Sequence, residues 1–522
     1  MTTQLGRIIG VFFICHTIDA QEIVGSNSSV SLFNVTARRF LQSPARLPGQ
    51  RISEFESAAR SLRDDVSKLY GGESESSFMD GVKWYDSNSK DTMLVKRLLR
   101  ALVKQDKFVV VVGGMSDTAG HGNKASEAYP MVMKKALKPV FAAAGVELVV
   151  RNLAMGGVPS FPNSLCMADA FGDDADLVVW DFRMVEHDDL KGELYLRQAL
   201  MMPRAPAIMF KRPLRYLPAL AAPYAALSSM HVIDEMPLYD KLSRNKNPGI
   251  VGDSFCETKC TCPGQVRWHA GWKTHRLRGL QMALVYAQVL GKAVAQYKDL
   301  LRGGMVDTNL VSAHSRFAVP GLGLPPAPLP KPRHKSLQGG VFAETPFNCG
   351  LSWSPRTGRS LEGLIDTSAE AKGGTQWKSR DPNARISSSG KRCGYSDDKT
   401  ELEGSVADGW AFFTLKGVKA AQSTYTSLGA GSDASGKGVV GFCADFPKPK
   451  ENRLKDFEVL VLLNGEEVQS DMKFWMDAHT LGVSIQCYGT SKMVKTDGDE
   501  NIIGFRVMQN GLTFKLTHLI WT

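Results

Sequence analysis

One serine in this chain stands where a nucleophile could be mounted. The stretch VVVVGGMSDTAGHGN, residues 109–123, runs four valines into a glycine-rich turn that carries Ser116. In open parallel sheets the chemistry lies in loops at the carboxyl ends of the strands, so a hydroxyl at this point is placed to attack a carbonyl carbon. The alternative interpretation is an ordinary serine in an ordinary turn.

Other chemistries that use glycine-rich turns do not fit this segment. It lacks the glycine spacing of the dinucleotide-binding fingerprint and the lysine of the phosphate-binding P-loop. The nucleophile elbow of α/β-hydrolases also fails, because Thr118 stands where its second glycine belongs. We therefore expect no nucleotide and no other cofactor.

The segments around Ser116 predict an α/β domain at residues 105–305. Its apolar, β-branched runs are FVVVV, VELVVRN, ADLVVWDF and APAIMFK, separated by helical or loop segments such as a helix that ends at Gly145. Apolar runs without alternation belong to strands covered on both faces, hence to a parallel sheet between helix layers. A long helix that ends on Gly303 and Gly304 closes the domain.

Three further segments flank this domain. Residues 21–104 form a polar N-terminal segment with one amphipathic helix near residues 52–70. Residues 317–340 hold prolines at positions 320, 325, 326, 328, 330 and 332, which is typical of a stiff, extended spacer. In residues 341–522 short strands alternate with Gly, Asn and Asp turns, which predicts a β-sandwich of the jelly-roll kind.

Three blocks of the α/β domain, taken together, resemble the SGNH or GDSL-type hydrolases. They are GMSDTAG (114–120), NLAMGG (152–157) and VRWHAGWKTHRLRG (266–279). The resemblance covers about residues 107–302 and implies a three-layer α/β/α fold that hydrolyses esters. It makes Ser116 the nucleophile and His269 the general base, with the N–H groups of Ser116 and Gly157 stabilising the oxyanion. His121 and His275 match the last block less well, and we expect them to be structural.

Functional positions of the family are replaced here by aliphatic side chains. Val185 stands where an asparagine normally donates to the oxyanion, and Val266 where an aspartate normally orients the histidine ring. Met115 replaces the aspartate that precedes the serine. Losing one oxyanion donor costs about 3 kcal/mol of transition-state stabilisation, so activity requires substitutes. The carboxylates that could orient His269 from another loop are Asp181, Glu186 and Asp253.

The N-terminus predicts entry into the secretory pathway. Residues 1–20 combine one arginine, an apolar run and small residues, as in a cleaved signal peptide; an uncleaved anchor is the alternative. Sequons at Asn27 and Asn34 follow directly. We therefore expect a secreted protein or one in the endomembrane lumen.

Cysteine positions agree with an oxidising compartment. Eight cysteines follow the signal segment, four on each side of the spacer, which predicts disulfides within two separate domains. The cluster CETKCTC, residues 256–262, could instead bind zinc, but further Cys or His partners at zinc spacing are missing from the sequence. We expect no metal site.

Charge and composition leave two classes of function open. The net charge is +10, but the basic residues are scattered among 53 acidic ones, which argues against a nucleic-acid partner. We favour an ester hydrolase that removes acyl groups, such as acetyl, from polysaccharide or glycoconjugate, with the sandwich holding a glycan. The alternatives are a catalytically weakened glycan-binding or matrix protein, and an O-acyltransferase. Trp353, Trp377 and Trp475 are as consistent with core packing as with sugar binding.

Overall fold

The computed structural model describes residues 47–522, apart from several internal segments. These segments are residues 86–91, 187–188, 214–215, 226, 256–265, 305–328, 339–341, 343–344, 354–358, 367–376, 381–400, 419–437, 446–458, 481–482, 491–493, 495 and 497–499. The expected signal segment, both sequons, the CETKCTC cluster, Cys393 and the first part of the spacer lie outside the described residues.

The first part of the described chain is an α/β domain. Its strands are β1 Val82–Trp84, β2 Lys107–Gly114, β3 Glu147–Asn152, β4 Leu177–Asp181, β5 Ala207–Lys211 and β6 Met230–Ile233. Its helices are α1 Pro48–Leu69, α2 Glu75–Met79, α3 Met93–Lys104, α4 Ser116–Ala119, α5 Tyr129–Ala143, α6 Met167–Phe171, α7 Asp189–Met201, α8 Leu217–Ala221, α9 Met236–Arg244 and α10 Trp272–Arg302, with short 3-10 turns at Ala125–Glu127 and Asn163–Cys166.

The six strands form one sheet in the order β1-β6-β5-β4-β2-β3. Strands β6, β5, β4, β2 and β3 are parallel, and β1 pairs antiparallel with β6. Alternate valines of β2 enter different cores: Val109 and Val111 belong to one apolar cluster, Val110 and Val112 to another. This is the expected outcome for a strand covered on both faces, and it explains why the run is uniformly apolar.

The N-terminal segment contributes to this domain more than its composition indicated. The amphipathic helix expected near residues 52–70 is α1, and its buried face includes Phe55, Leu62 and Val66. These side chains share an apolar cluster with residues of α3 and α10. Strands β1 and β6 were not foreseen, because three- and four-residue runs such as VKW carry almost no periodicity.

The second part is an antiparallel β domain. Its strands are β7 Asn348–Leu351, β8 Lys378–Arg380, β9 Glu401–Gly404, β10 Trp410–Leu415, β11 Val440–Asp445, β12 Val459–Leu463, β13 Glu466–Glu467, β14 Lys473–Thr480, β15 Val483–Thr490, β16 Asn501–Val507 and β17 Phe514–Trp521, with 3-10 turns at Lys335–Leu337, Glu362–Leu364, Val406–Asp408 and Gln469–Asp471. One sheet runs β10-β16-β12-β13; the other runs β14-β15-β11-β17-β9-β8, with β7 beside β17. Apolar side chains from both sheets share one core, as a sandwich requires.

The larger sheet of the sandwich is buried on both faces. Phe442 faces the sandwich core, whereas its neighbour Cys443 belongs to the apolar cluster that contains Trp180 of the parallel sheet. Across this interface, His518 Nε2 lies 3.0 Å from Asn163 Oδ1. The β domain therefore completes the core on one side of the α/β domain.

A disulfide crosses the same interface. Cys166 and Cys349 are bonded although 183 positions separate them, so the expectation of bridges confined to separate domains is wrong for this pair. Sequence gave no basis for this pairing, because the two cysteines meet only after the domains dock. Cys443 and Cys487 pair within the β domain, on adjacent strands.

The described end of the spacer, residues 329–338, is not a free linker. The N–H groups of Arg333 and His334 each donate to Glu193 of α7 at 2.7 Å, and Arg197 donates to the Pro330 carbonyl at 2.6 Å. Buried Leu337 packs into the interdomain core. This part of the chain therefore helps to hold the two domains together.

Trp353, Trp377 and Trp475 are all buried, which places them in cores. Among the described residues, none of the helices combines the length and apolar character that a membrane span needs.

Candidate active site

The structure brings together the serine and the histidine that the sequence singled out. Ser116 Oγ lies 2.8 Å from His269 Nε2, although the two residues are 153 positions apart. Ser116 is the first residue of α4, directly after β2, and His269 lies in the loop before α10. Both sit at the carboxyl edge of the parallel sheet, where α/β folds place their ligands.

The backbone before the serine is shaped for a tight turn. A Cβ added at Gly114 would lie 2.4 Å from Thr118 Oγ1, so this position accepts only glycine. Met115 is buried in the core and anchors the turn. Ser116 N–H, at the first position of α4, donates to no acceptor among the described residues, so it is available to an incoming oxyanion.

The loop that carries His269 is fastened to the nucleophile turn. Asp117 Oδ1 accepts a hydrogen bond from the N–H of Ala270 at 3.0 Å, and Asn123 Nδ2 donates to the Ala270 carbonyl at 2.9 Å. The His269 ring packs edge-to-face against the rings of His121, at 5.6 Å, and Trp268, at 5.9 Å. Two backbone contacts and two ring contacts thus restrict where the imidazole can lie.

Asp117 is held in its charged form. Burial acts to raise the pKa of this carboxyl, but nearby Arg278 and His275 and the Ala270 N–H outweigh burial and keep the pKa below its ordinary value. Arg278 donates directly to Asp117 Oδ2. The ionised carboxylate is the acceptor that the Ala270 amide needs, so this charge supports the position of the His269 loop.

The other two histidines have different surroundings from His269. His275 is fully buried on α10, and its Nδ1 accepts a hydrogen bond from the Tyr129 N–H at 3.3 Å. Burial lowers the pKa of His275 to about 4, because the charged ring loses its hydration. These contacts give His275 a structural position in the helix layer, whereas His121 packs directly against the His269 ring.

Each of the three carboxylates proposed to orient His269 accepts hydrogen bonds that brace a loop of the site. Asp181 accepts hydrogen bonds from Thr118 Oγ1 at 2.6 Å and Tyr129 OH at 2.8 Å, which fixes the nucleophile turn to β4. Asp253 accepts from Thr274 Oγ1 at 2.6 Å and from three backbone N–H groups at the start of α10, where its charge also suits the helix dipole.

Glu186 braces the loop that contains Gly157. Its Oε1 accepts a hydrogen bond from the Ser160 N–H at 2.9 Å. Gly157 has φ +68°, a left-handed conformation that glycine adopts without strain. Two residues earlier, Met155 N–H donates to the Gly114 carbonyl at 3.1 Å, so this loop runs beside the end of β2.

The structure shows the contacts of Val185 and Val266, which replace functional side chains of the family. Val185 is half-buried and packs against the core that contains Phe182, so its side chain contributes to packing. The Val266 carbonyl accepts a hydrogen bond from the His269 N–H at 3.0 Å, a contact that any residue type could supply.

Two cavities lie near the Ser116–His269 pair. One of about 380 Å³ adjoins the base; among its lining residues are Tyr239, Asp253, Trp268, His269 and Ala270. The other, of about 140 Å³, has Met115, Asp117 and Thr118 in its wall, which are neighbours of Ser116 in the sequence. Glu235 and Arg278 line both, so they form the partition between the two spaces.

Sequence reasoning missed Asp117, Asn123 and Arg278 as site residues. Two of them lie within or beside the GMSDTAG block, and Arg278 lies within the last block, so their proximity to the predicted pair was a usable signal. Their partners are backbone groups and a distant carboxylate, which no spacing rule identifies. Within the described residues, no cluster of three or more His, Cys, Asp or Glu could hold a metal ion.

No family model matches this chain, and no curated protein matches it. Among solved structures, a two-domain esterase (CEX) active on acetylated mannans is similar at 12% identity and TM-score 0.36, covering 85% of this chain and 97% of its own. A second structure of that protein, co-crystallized with mannopentaose, is similar at 14% identity and TM-score 0.36, covering 85% of this chain and 98% of its own. At such values, the function of this chain has to be inferred from its own residues.

Proposed function

We propose that this chain is a serine-dependent carboxylic ester hydrolase of the SGNH type. The single observation that carries the proposal is the 2.8 Å contact between Ser116 Oγ and His269 Nε2 at the carboxyl edge of a parallel sheet. A general base within hydrogen-bond reach is what turns a weakly nucleophilic hydroxyl into an attacking group.

In the proposed reaction, Ser116 Oγ attacks the ester carbonyl carbon while His269 Nε2 takes the hydroxyl proton. The carbonyl oxygen becomes an oxyanion, which the N–H groups of Ser116 and Gly157 stabilise. Collapse of this intermediate breaks the bond to the alcohol oxygen, and His269 returns the proton to that oxygen. Water then attacks the acyl-serine in the same way and releases the carboxylic acid.

This order of reaction steps assigns one cavity to the alcohol half of the ester and the other cavity to the acyl half. The leaving alcohol must receive its proton from His269, so it occupies the 380 Å³ cavity beside that residue. The acyl group is then assigned to the 140 Å³ cavity, whose wall includes Met115 and Asp117, the neighbours of Ser116. A cavity of the smaller size suits a short acyl group, since drug-sized ligands occupy about 300–1,000 Å³.

The proposed substrate is an acylated polysaccharide or glycoconjugate outside the cytosol. The exposed ring of Trp268, 64% accessible, stands at the alcohol cavity, where an amphipathic aromatic surface suits a sugar ring. Disulfides Cys166–Cys349 and Cys443–Cys487 support an oxidising compartment, as does the signal-like N-terminus. Transfer of the acyl group to another alcohol would use the same residues.

A second candidate function is glycan binding or a matrix role with little catalysis. Val185 and Val266 favour it, because each replaces a side chain on which the family chemistry relies.

Hydrolysis of a small acetyl ester and of acetylated polysaccharide by the purified protein separates the two candidates. We expect Ser116→Ala to lose about 10³-fold or more in kcat/KM, whereas exposed Ser76→Ala keeps the parent activity. Equal rates for the parent chain and Ser116→Ala would favour the binding protein.

A further inference from the structure

The acyl-side cavity is lined by an unusual set of charges. Four cationic side chains and three carboxylates line a space of about 140 Å³. The cations are Arg183, Lys211, Arg212 and Arg278, and the carboxylates are Asp117, Asp181 and Glu235. One positive charge therefore remains even when every carboxylate is ionised, in a space that a neutral acetyl group would only partly use.

Most of these charges compensate one another at the base of the cavity. Glu235 is buried and accepts from Lys211, Arg212 and Arg278 at once, so one carboxylate serves three cations. Arg278 is shared with Asp117. Burial raises the pKa of Asp181 and lowers the pKa of Lys211, so it disfavours one charge of each sign and leaves the balance of charges unchanged.

The surplus is located at the mouth of the cavity. Arg183 is exposed and forms no hydrogen bond or ion pair with another described residue. Arg212, whose side chain is 27% exposed, has a φ of 69° directly after β5. A left-handed conformation at a non-glycine residue is unfavourable and is found where surrounding structure enforces it. Here the ion pair with Glu235 holds the guanidinium at the cavity wall.

We propose that this cavity is an anion subsite that selects acyl groups bearing a second carboxylate. The inference rests on the proposed ester hydrolysis, which sets the acyl group on the Met115 and Thr118 side of Ser116. A guanidinium pairs with carboxylate through parallel N–H bonds, and Arg183, which has no partner among the residues that the structure describes, can form them. The substrate class is thus a half-ester of a short dicarboxylic acid, such as a hydrogen malonate or hydrogen succinate.

Matched esters of 4-nitrobenzyl alcohol test this assignment. The acetate is small and neutral, the acetoacetate is neutral and isosteric with the hydrogen malonate, and only the hydrogen malonate carries the second carboxylate. A fourth ester, 4-carboxybenzyl acetate, places a carboxylate on the alcohol instead. We expect the hydrogen malonate to exceed the acetoacetate in kcat/KM by about tenfold or more, the effect of one charged hydrogen bond.

Arg183→Ala is the decisive variant, and exposed Arg302→Ala at the far end of α10 is its control. Arg183→Ala should raise KM for the hydrogen malonate about tenfold and change the two neutral esters less than about twofold. Equal kcat/KM values for the acetoacetate and the hydrogen malonate would overturn the proposal. So would a dependence on Arg183 that appears only with 4-carboxybenzyl acetate, because the anion would then belong to the alcohol.

Binding of free malonate, measured by calorimetry, examines the cavity without turnover. Binding that is lost in Arg183→Ala and kept in Ser116→Ala and Arg302→Ala supports the anion subsite even if no ester is hydrolysed. Neutral esters that turn over while malonate shows no Arg183-dependent binding would leave ester hydrolysis intact and overturn the subsite.

Discussion

The rim of the parallel sheet and the interface between the two domains are built from different interactions. At the rim, carboxylates such as Asp117 and Asp253 accept hydrogen bonds from backbone amides of other loops. At the interface, side chains such as Trp475 and Ile520 pack into one apolar cluster, and the Cys166–Cys349 bond crosses it.

The difference shows which region contributes to which property. Hydrogen bonds are directional, so those at the rim define the positions of the loops, but each adds little net stability. Apolar burial is non-directional and large, so the interface stabilises the fold but cannot aim a side chain. Substitutions at the rim should therefore change activity first, and substitutions at the interface should change stability first.

The largest expected effect is on catalysis. His269→Ala removes the proposed base and should lower kcat/KM for a small acetyl ester by about 10⁴-fold, since an unassisted serine hydroxyl is a weak nucleophile. Thermal unfolding should stay close to that of the parent chain. His334→Ala, outside the site, is the matched control. Unchanged turnover in His269→Ala would show that another group serves as base.

The next largest expected effect is a loss of stability when the core between the two domains is changed. Trp475 is buried and packs against Phe342, with ring centroids 4.9 Å apart, whereas its neighbour Phe474 is 37% exposed. Trp475→Ala should lower the free energy of unfolding by about 3–5 kcal/mol, and Phe474→Ala by much less. Chemical denaturation measures both. Equal losses would contradict the packing described for this face.

The two disulfides should differ in their contribution to stability. Replacing Cys166 and Cys349 by alanine opens a loop of 183 positions, against 44 for Cys443 and Cys487. Each removal should cost about 2–4 kcal/mol, with the interdomain bond worth about 1 kcal/mol more because the longer loop loses more entropy on closure. Urea midpoints of the two double variants compare them directly. A larger loss for the shorter loop would contradict this ranking.

The smallest expected effect depends on pH. Burial raises the pKa of Glu186 from 4.5 to about 7, so the folded chain binds this proton more tightly than the unfolded chain. The associated stability is fully present below pH 4.5 and is lost as pH rises through about 7. Glu186→Gln, which keeps an oxygen for the Ser160 amide, should therefore be about 1–3 kcal/mol more stable than the parent at pH 8 and similar to it at pH 4.

Melting temperatures across this pH range measure the difference. Exposed Glu147→Gln is the control and should follow the parent profile at every pH. A Glu186→Gln variant that is destabilised at pH 8 would show that the carboxylate charge itself holds the loop.

Sequence patterns predicted the parts of the fold that depend on burial along the chain. Continuous apolar runs such as FVVVV identified parallel strands because both faces are covered, and the Gly303–Gly304 pair identified the end of α10. The alternation of short strands and polar turns identified the sandwich. Contacts between distant segments, such as Cys166 with Cys349, had no local signal.

In the candidate site, too, some features could be predicted from the sequence and others could not. Ser116 and His269 were singled out because their blocks resemble a family, and the structure brings them within 2.8 Å. The partners of Glu186 and Asp253 could not be predicted, because backbone amides donate to any nearby carboxylate and carry no residue identity. The hydroxyls of Thr118 and Tyr129 that donate to Asp181 come from other segments of the chain and follow no spacing rule. The presence of a carboxylate near the site was predictable, but the loop that it braces was not.

Reaction with a fluorophosphonate tests the central claim most directly, since the probe labels only a serine activated by a base. The contact between Ser116 Oγ and His269 Nε2 predicts a single adduct on the peptide that contains Ser116. That adduct should be lost in Ser116→Ala, slowed strongly in His269→Ala and unchanged in Ser76→Ala. An absence of labelling between pH 6 and 9, or equal labelling of the parent chain and His269→Ala, would contradict the claim that His269 activates Ser116.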